Sequence, residues 1–379
     1  MSRKFLALLG AASLLLAVGI AMSAQAMLKT IVDFGSRTHG YIGPGDVNSG
    51  ALAWYGMRAY SAAYAAAHGK AFNLKAGAPT KDITFLSNGN VDVATALVFE
   101  GVSGTASCTI APGIGNTGTL TCASGSGTMA TDGELFGSGV AAGTFVLPGF
   151  ICTSYPCTLT NGIYPSQTVS SAVTVTSYNP GVVRIWYDQS GANSCSGPCD
   201  VGPINNNIFF ISSCYKFNGR PCFYTDGAGY GGLTITSTSP PLTFSAFGER
   251  IGAYTTYGVM ADLYNGSGDD ETYWNNTANT VSNNYFTSTA NDDVIHAMQF
   301  TYTATGASSI INIDGTETSN TTTVRNNSTH FYVGTDHTSF EMHNQLFAEV
   351  GLWGAAWSST LRKNMCNNQS KYYLNTTPC

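Results

Sequence analysis

The chain has 379 residues, a formal net charge of −6 and no basic patch, which excludes nucleic acid as a natural partner. Charged residues make up 10% of it, against about 25% in ordinary soluble domains. Asn, Thr, Ser and Gly take their place, giving a neutral, hydrogen-bonding surface, and the length suits one large β domain with an insertion or two ordinary domains.

Residues 1–26 read as a secretory signal peptide: Arg3 and Lys4, an apolar run from Phe5 to Ile20, then Ala24-Gln25-Ala26. The alternative is a membrane anchor, but the run is short and an Ala-x-Ala site closes it. No later segment is apolar and long enough to span a bilayer, so the expected location is secreted, cell-surface or periplasmic, with no membrane span after signal removal. Leu52 to Ala67 is Ala-rich with aromatics at helical spacing, which predicts a helix.

Residues 100–180 have a different character. They are rich in Gly, Thr and Ser, and Asp132 and Glu134 are their only charges after Glu100. Val/Thr alternation from Val169 to Thr176 predicts strand rather than a disordered low-complexity loop. Beyond them, Val182 to Tyr187 is a β-branched and aromatic run stopped by Asp188, Ser190 and Gly191. Strict alternation puts Val183, Ile185 and Tyr187 on one face and Arg184, Trp186 and Asp188 on the other. The second face then presents a cation, an indole and a carboxylate together, a surface suited to a sugar.

Further β-rich runs follow at Leu242–Phe247, Tyr257–Leu263, Ile295–Tyr302, Ile310–Ile313 and Leu346–Trp353, separated by Gly, Asn and Ser clusters. Asp314-Gly315 is a type I′ hairpin signal, and Ser358 to Tyr373 reads as a short C-terminal helical turn. The pattern predicts an all-β sandwich or jelly roll. Ten cysteines agree with export. Their spacing suggests local bridges: Cys108 with Cys122, Cys152 with Cys157, Cys195 with Cys199, Cys214 with Cys222, and Cys366 with Cys379. Spacing alone leaves connectivity open, and a zinc site of Cys195, Cys199, Cys214 and Cys222 is the competing reading.

Several blocks resemble the catalytic domain of the α-L-arabinofuranosidase B family, glycosidases built on a concanavalin-A-like jelly roll. They are Ala51–Tyr60, Gly69–Leu74, Asp82–Phe85, the run Arg184–Gly191, Phe217-Asn218-Gly219-Arg220 and Gly227-Ala228-Gly229-Tyr230. The likeness passes directly from Val98-Phe99 to Val182-Val183, so the resemblance implies a jelly roll of residues 27–99 and 181–379 with 100–180 inserted. Within the insert, Gly139–Thr144 and Gln167-Thr168-Val169 resemble a small β module common in bacterial and phage surface proteins.

Retaining glycosidases need two carboxyl groups about 5–5.5 Å apart, one attacking the anomeric carbon and one protonating the leaving oxygen. The family's acid/base is an Asp in a Gly-Gly-Asp-Asn turn, and Gly334-Thr335-Asp336-His337 is the matching stretch, which makes Asp336 the implied acid/base. The family's nucleophile is the Glu of an Asp-Met-Glu-Asn segment. Asp262-Leu263-Tyr264-Asn265 is the nearest string and carries Tyr264 in place of that Glu, with Asn265 beside it. Glu271, in Asp269-Asp270-Glu271, is the substitute nucleophile; the bland alternative is a solvated acidic loop. Trp186, Asp188, Trp274, Tyr264 and Asn265 are the expected sugar-binding residues, whereas Trp353 and Trp357 are assigned to the core.

The family's adjacent Cys-Cys pair and its arabinose-binding trefoil are both missing from this sequence. Asp336, His337, Glu341 and His343 form a second acid/histidine group, but the spacing matches no metal motif, and no cofactor loop occurs. The expectation is thus a secreted carbohydrate-active protein with a glycan partner and neither metal nor cofactor. Three functions fit: an arabinofuranosidase-like hydrolase on arabinose-bearing polysaccharide, a lectin-like or adhesion protein that lost its nucleophile, and a structural surface or virion-decoration component.

Overall fold

The computed structural model describes residues 40–379 except 193–198, 203, 205–207, 227–230, 239–240, 252–257, 265–268, 275–279, 284–285, 290–293, 304–307, 322–327, 334–343, 375 and 377–378. The signal segment, Asn265, Asp336 and the His337/Glu341/His343 group therefore lie outside the described residues.

The chain enters through a single helical turn, α1 (Pro44–Val47), and then β1 (Ala51–Gly56), α2 (Ala62–Ala66), β2 (Lys70–Lys75), β3 (Thr80–Thr84) and α3 (Val93–Glu100). Leu52–Ala67 was expected to be one helix; only Ala62–Ala66 is helical. The first half becomes strand because Ala51 to Gly56 pairs with Trp353 back to Glu349, with one register shift at Leu52. Tertiary pairing overrides an Ala-rich local preference.

Residues 102–178 form a closed six-stranded barrel: β4 (Val102–Pro112), β5 (Gly118–Gly127), β6 (Glu134–Gly137), β7 (Thr144–Val146), β8 (Cys157–Tyr164) and β9 (Val169–Tyr178). Its strands alternate buried and exposed residues, and its own core includes Ile110, Leu120, Leu135, Val146, Ile163 and Val175. The two ends of the barrel segment meet, since the Asn179 amide donates to the Gly101 carbonyl at 3.0 Å. Against the sandwich it seats Phe145, whose ring centroid lies 4.6 Å from that of Tyr224, and Tyr164, whose hydroxyl donates to Glu249 at 3.2 Å.

The remaining strands make two antiparallel sheets. The larger contains β1 to β3 with β10 (Gly181–Trp186), β11 (Ile208–Ile211), β12 (Cys222–Asp226), β14 (Leu242–Arg250), β19 (His296–Tyr302), β20 (Ser308–Ile313), β21 (Thr316–Thr321) and β23 (Asn344–Trp353). The smaller runs β13 (Gly231–Thr238), β22 (Ser328–Val333), β15 (Gly258–Tyr264), β16 (Asp269–Trp274), β17 (Thr280–Asn283) and β18 (Phe286–Thr289). The sheets face one another through aromatic contacts: Phe331 of β22 lies 6.2 Å from Phe244 and 6.5 Å from Tyr55. This is the all-β jelly-roll sandwich that the strand pattern predicts.

Helix α4 (Ser359–Tyr373) closes the opposite face of the larger sheet. Ser358 caps it by accepting from the Leu361 amide at 3.2 Å. It is a full helix of 15 residues where only a short turn was expected. Beneath it lies a polar layer. Arg58, just after β1, pairs with both oxygens of Glu349 through its Nε and Nη2, and both side chains are 0% exposed. Gln369 donates to Glu349 at 3.1 Å and to Ser245 at 3.3 Å, and accepts from Gln299 at 3.0 Å. Trp54, Trp353 and Trp357 pack beside this layer, all nearly fully buried.

Four expected bridges are present: Cys108–Cys122, Cys152–Cys157, Cys214–Cys222 and Cys366–Cys379. Cys214 and Cys222 have Cα atoms 5.9 Å apart and flank Asn218 and Gly219, both at positive φ. Cys199 is also disulfide-bonded, which removes the zinc reading that needed its thiolate; Cys195 lies outside the described residues. Asp314 and Gly315, at φ of 50° and 85°, form the expected tight turn between β20 and β21.

The buried Arg58–Glu349 pair makes a definite demand on stability. Glu349→Gln leaves the guanidinium buried without its counter-charge, and a loss of about 3–5 kcal/mol is expected. Chemical denaturation of the oxidised protein measures it, and a midpoint equal to that of the wild type would show the pair to be dispensable.

Candidate functional site

The run Arg184–Gly191 does not build a sugar-binding face. Pairing of β10 with β2 matches Val183 to Leu74 but Ile185 to Asn73, so Arg184 is an extra residue at a β-bulge. The bulge shifts the alternation by one. Val183 and Trp186 consequently both point into the core, at 0% and 1% exposure. Trp186 is wedged between Tyr55, Phe223 and Phe347, with centroids 5.6, 4.6 and 5.5 Å away. No ligand reaches it, and its expected role as a groove ring is withdrawn.

Asp188 is likewise committed to the backbone. Its Oδ1 accepts from the Trp54 amide at 2.9 Å and the Ser190 amide at 3.0 Å, and its Oδ2 from the Ser190 hydroxyl at 2.8 Å. Burial pushes its carboxyl upward and these donors oppose the rise. It staples the end of β10 to β1. Tyr187 emerges on the outer side instead, donating to Asp82 at 2.6 Å while Lys70 lies over its ring and pairs with the same carboxylate.

The smaller sheet carries the other candidates. Strands β15 and β22 pair Ala261 with Val333, Asp262 with Tyr332, Leu263 with Phe331 and Tyr264 with His330. Leu263, Phe331 and Val333 are the core side, at 4%, 0% and 1% exposure. Alternation places Asp262, Tyr264, His330 and Tyr332 on the other face. Tyr264 and His330 have ring centroids 6.0 Å apart, and His330 and Tyr332 are stacked at 6.1 Å with 17° between planes. All three rings are half-buried, while Asp262 is fully buried. Rings of this kind can stack on the C–H faces of a sugar.

Strand β16 continues the sheet on the far side of β15. Its register sets Glu271 directly opposite Asp262 and Asp269 directly opposite Tyr264. Trp274 pairs with Gly258 and Val281. On its other edge β22 pairs with β13, where Thr234 lies opposite His330. Strand β22 ends at Val333, three residues before Asp336 in sequence.

The structure thus brings Tyr264 and Glu271 to neighbouring strands and removes Trp186 and Asp188 from the site. His330 and Tyr332 were missed. Their signal was present in His330-Phe331-Tyr332-Val333, where polar aromatic and core residues alternate. Among the described residues no group of three or more His, Cys, Asp or Glu side chains is arranged to hold a metal ion.

No family model matches the sequence, and no curated protein matches it. Solved structures do. A Glu-to-Gln mutant of a GH54 α-L-arabinofuranosidase, soaked with 4-nitrophenyl α-L-arabinofuranoside, superposes with a TM-score of 0.52 at 9% identity, over 86% of this chain and 66% of that one. The GH54 enzyme soaked with a cyclic sulfate inhibitor gives 0.50 at 10% identity over the same shares. A mutant Trypanosoma rangeli sialidase displaying trans-sialidase activity is matched over 51% of this chain and 32% of its own, with a TM-score of 0.36 at 12% identity. The chain therefore spans just under two thirds of the arabinofuranosidase and about a third of the sialidase. The arabinofuranosidase likeness establishes a shared fold, and the sialidase one is too partial to add to it.

The corrected position of Trp186 has a measurable consequence. Trp186→Ala empties a core site between three rings and is expected to destabilise the protein by about 3–5 kcal/mol. Thermal or chemical denaturation measures that loss. A variant of undiminished stability with weakened sugar binding would restore Trp186 to the ligand surface.

Proposed function

We propose that this protein is a secreted, carbohydrate-active glycoside hydrolase of arabinofuranosidase type, acting on arabinose-bearing polysaccharide through the face formed by β22, β15 and β16. The observation that carries this reading is the register of β15: it sets Asp262 opposite Glu271 while its other edge pairs with β22, the strand that leads to Asp336. The segment that resembles the family's nucleophile strand and the one that resembles its acid/base turn thus start from adjacent strands. Position 264 lacks a carboxylate, and the neighbouring strand carries three, Asp269, Asp270 and Glu271.

In this reading Glu271 attacks the anomeric carbon and Asp336 protonates the departing glycosidic oxygen. Water, deprotonated by Asp336, then releases the sugar from Glu271, as the retaining mechanism requires. Tyr264, His330 and Tyr332 hold the sugar ring. The disulfides agree with an oxidising, extracytoplasmic location.

A second reading is a glycan-binding protein without turnover. It is favoured by Tyr264 standing where the family carries its nucleophile, within a row of rings. Release of arabinose from a synthetic aryl arabinofuranoside separates the two. For the hydrolase, wild type turns over, Glu271→Gln and Asp336→Asn each abolish turnover, and sugar binding by Asp336→Asn stays within a few fold because only proton transfer is lost. Absence of turnover in wild type, together with glycan binding that weakens in Tyr264→Ala, would establish the second reading. Undiminished turnover in Glu271→Gln would remove Glu271 from the chemistry.

A further inference from the structure

A different pair of carboxyls lies where the barrel meets the sandwich. Glu100, the last residue of α3, is 4% exposed, and Glu134, at the start of β6, is 3% exposed. Glu134 crosses the seam: its Oε2 accepts from the Ser212 amide and its Oε1 from the Ser212 hydroxyl, both at 2.9 Å. Glu100 Oε1 has no hydrogen-bond partner. It is pressed against Gly181, the first residue of β10, where a Cβ atom would come within 2.0 Å of it.

Among the described residues no cation pairs with either carboxyl. The titratable group that faces both is Tyr178 of β9, and Ser212 and Ser213 face Glu134 from the sandwich. Elsewhere on the seam the arrangement is the reverse. Glu249 of β14, also fully buried, accepts from Lys216 at 2.9 Å and from Tyr164 of the barrel. One contact between the two bodies thus has its counter-charge, and the other has none.

We propose that Glu100 and Glu134 form a proton-dependent clasp, holding the barrel firmly on the sandwich when protonated and loosening the seam as they ionise. Burial raises both carboxyls: Glu134 is pushed up to about 7 against the opposition of the Ser212 and Ser213 donors, and Glu100 is raised well above its ordinary value, with Glu134 adding to the effect. Raised values in the folded protein mean that folding favours the proton-bound form. The stabilisation is complete below the ordinary carboxylate value near 4.5 and is lost as pH climbs through the folded values. Ser212 can donate to the charged form of Glu134, whereas Glu100 has no donor on Oε1. The barrel is therefore seated for an acidic medium and released toward neutral and alkaline ones.

The test uses the full, oxidised chain. Its melting temperature is measured from pH 4.5 to 8.5 for the wild type and for Glu100→Gln/Glu134→Gln, which cannot ionise. Wild type is expected to melt several degrees lower at pH 8 than at pH 5, and the double variant to show a markedly smaller drop. Equal pH dependence in both proteins overturns the proposal, as does a wild type equally stable at both pH values. Should the double variant not fold, hydrogen exchange of the Ser212 amide in the wild type decides. Protection, corrected for the intrinsic pH dependence of exchange, falls between pH 5 and 8 if the clasp exists and stays constant if it does not.

Discussion

Arg58 and Glu349 meet where three distant parts of the chain converge, and neither charge has access to water. Glu349 lies on β23, which β14 borders along one edge and β12 and then β1 along the other. Arg58 lies two residues past the end of β1, and Gln369 of α4 donates to Glu349 Oε2, the oxygen that also accepts from Arg58 Nη2. An ion pair in such surroundings is worth little beyond a well-packed apolar substitute, but losing one partner is severe. Its effect is on specification. A slip of β1 by one residue against β23 would strand a buried cation, so the pair ties the N-terminal strand, the central strand and the closing helix to one register.

That arrangement decides which surfaces remain for a ligand. With α4 and its polar layer over the centre of the larger sheet, and the aromatic core between the sheets, the outer side of β22 and β15 is where the half-buried rings of Tyr264, His330 and Tyr332 gather. Leu263 and Phe331 anchor these strands from behind. The residues in front then inherit fixed spacings from the sheet itself. A site built on paired strands is positioned more rigidly than one built on loops.

Much of the fold was legible because alternation and turn chemistry are local. The strands from Leu242 onward, the Asp314-Gly315 turn and the cysteine spacings all express themselves within a few residues. The errors came from effects that are not local. Nothing in Val182–Tyr187 announces the bulge at Arg184, because a bulge is defined by the partner strand. The single missed residue moved Trp186 from surface to core and with it the most persuasive part of the sugar-site argument. Leu52–Ala67 failed for a related reason: its first half is strand only because β23 is there to receive it. At the candidate site, Tyr264 was noticed through resemblance, whereas His330 and Tyr332 join it only once the register of β15 and β22 is known.

The hydrogen bond that joins Asn179 to Gly101 makes the barrel a loop whose two ends are already closed. Loop-closure entropy rises only slowly with length, so exchanging these residues for a short turn, or for another closed module, alters the sandwich's chain entropy modestly. The position is therefore a natural port for grafting. The constraint on what can be plugged in is a matter of surface rather than of connectivity. Phe145 and Tyr164 complete the apolar cover over Tyr224 and its neighbours, so any replacement module must bring two such side chains or leave that patch of the sandwich core wet.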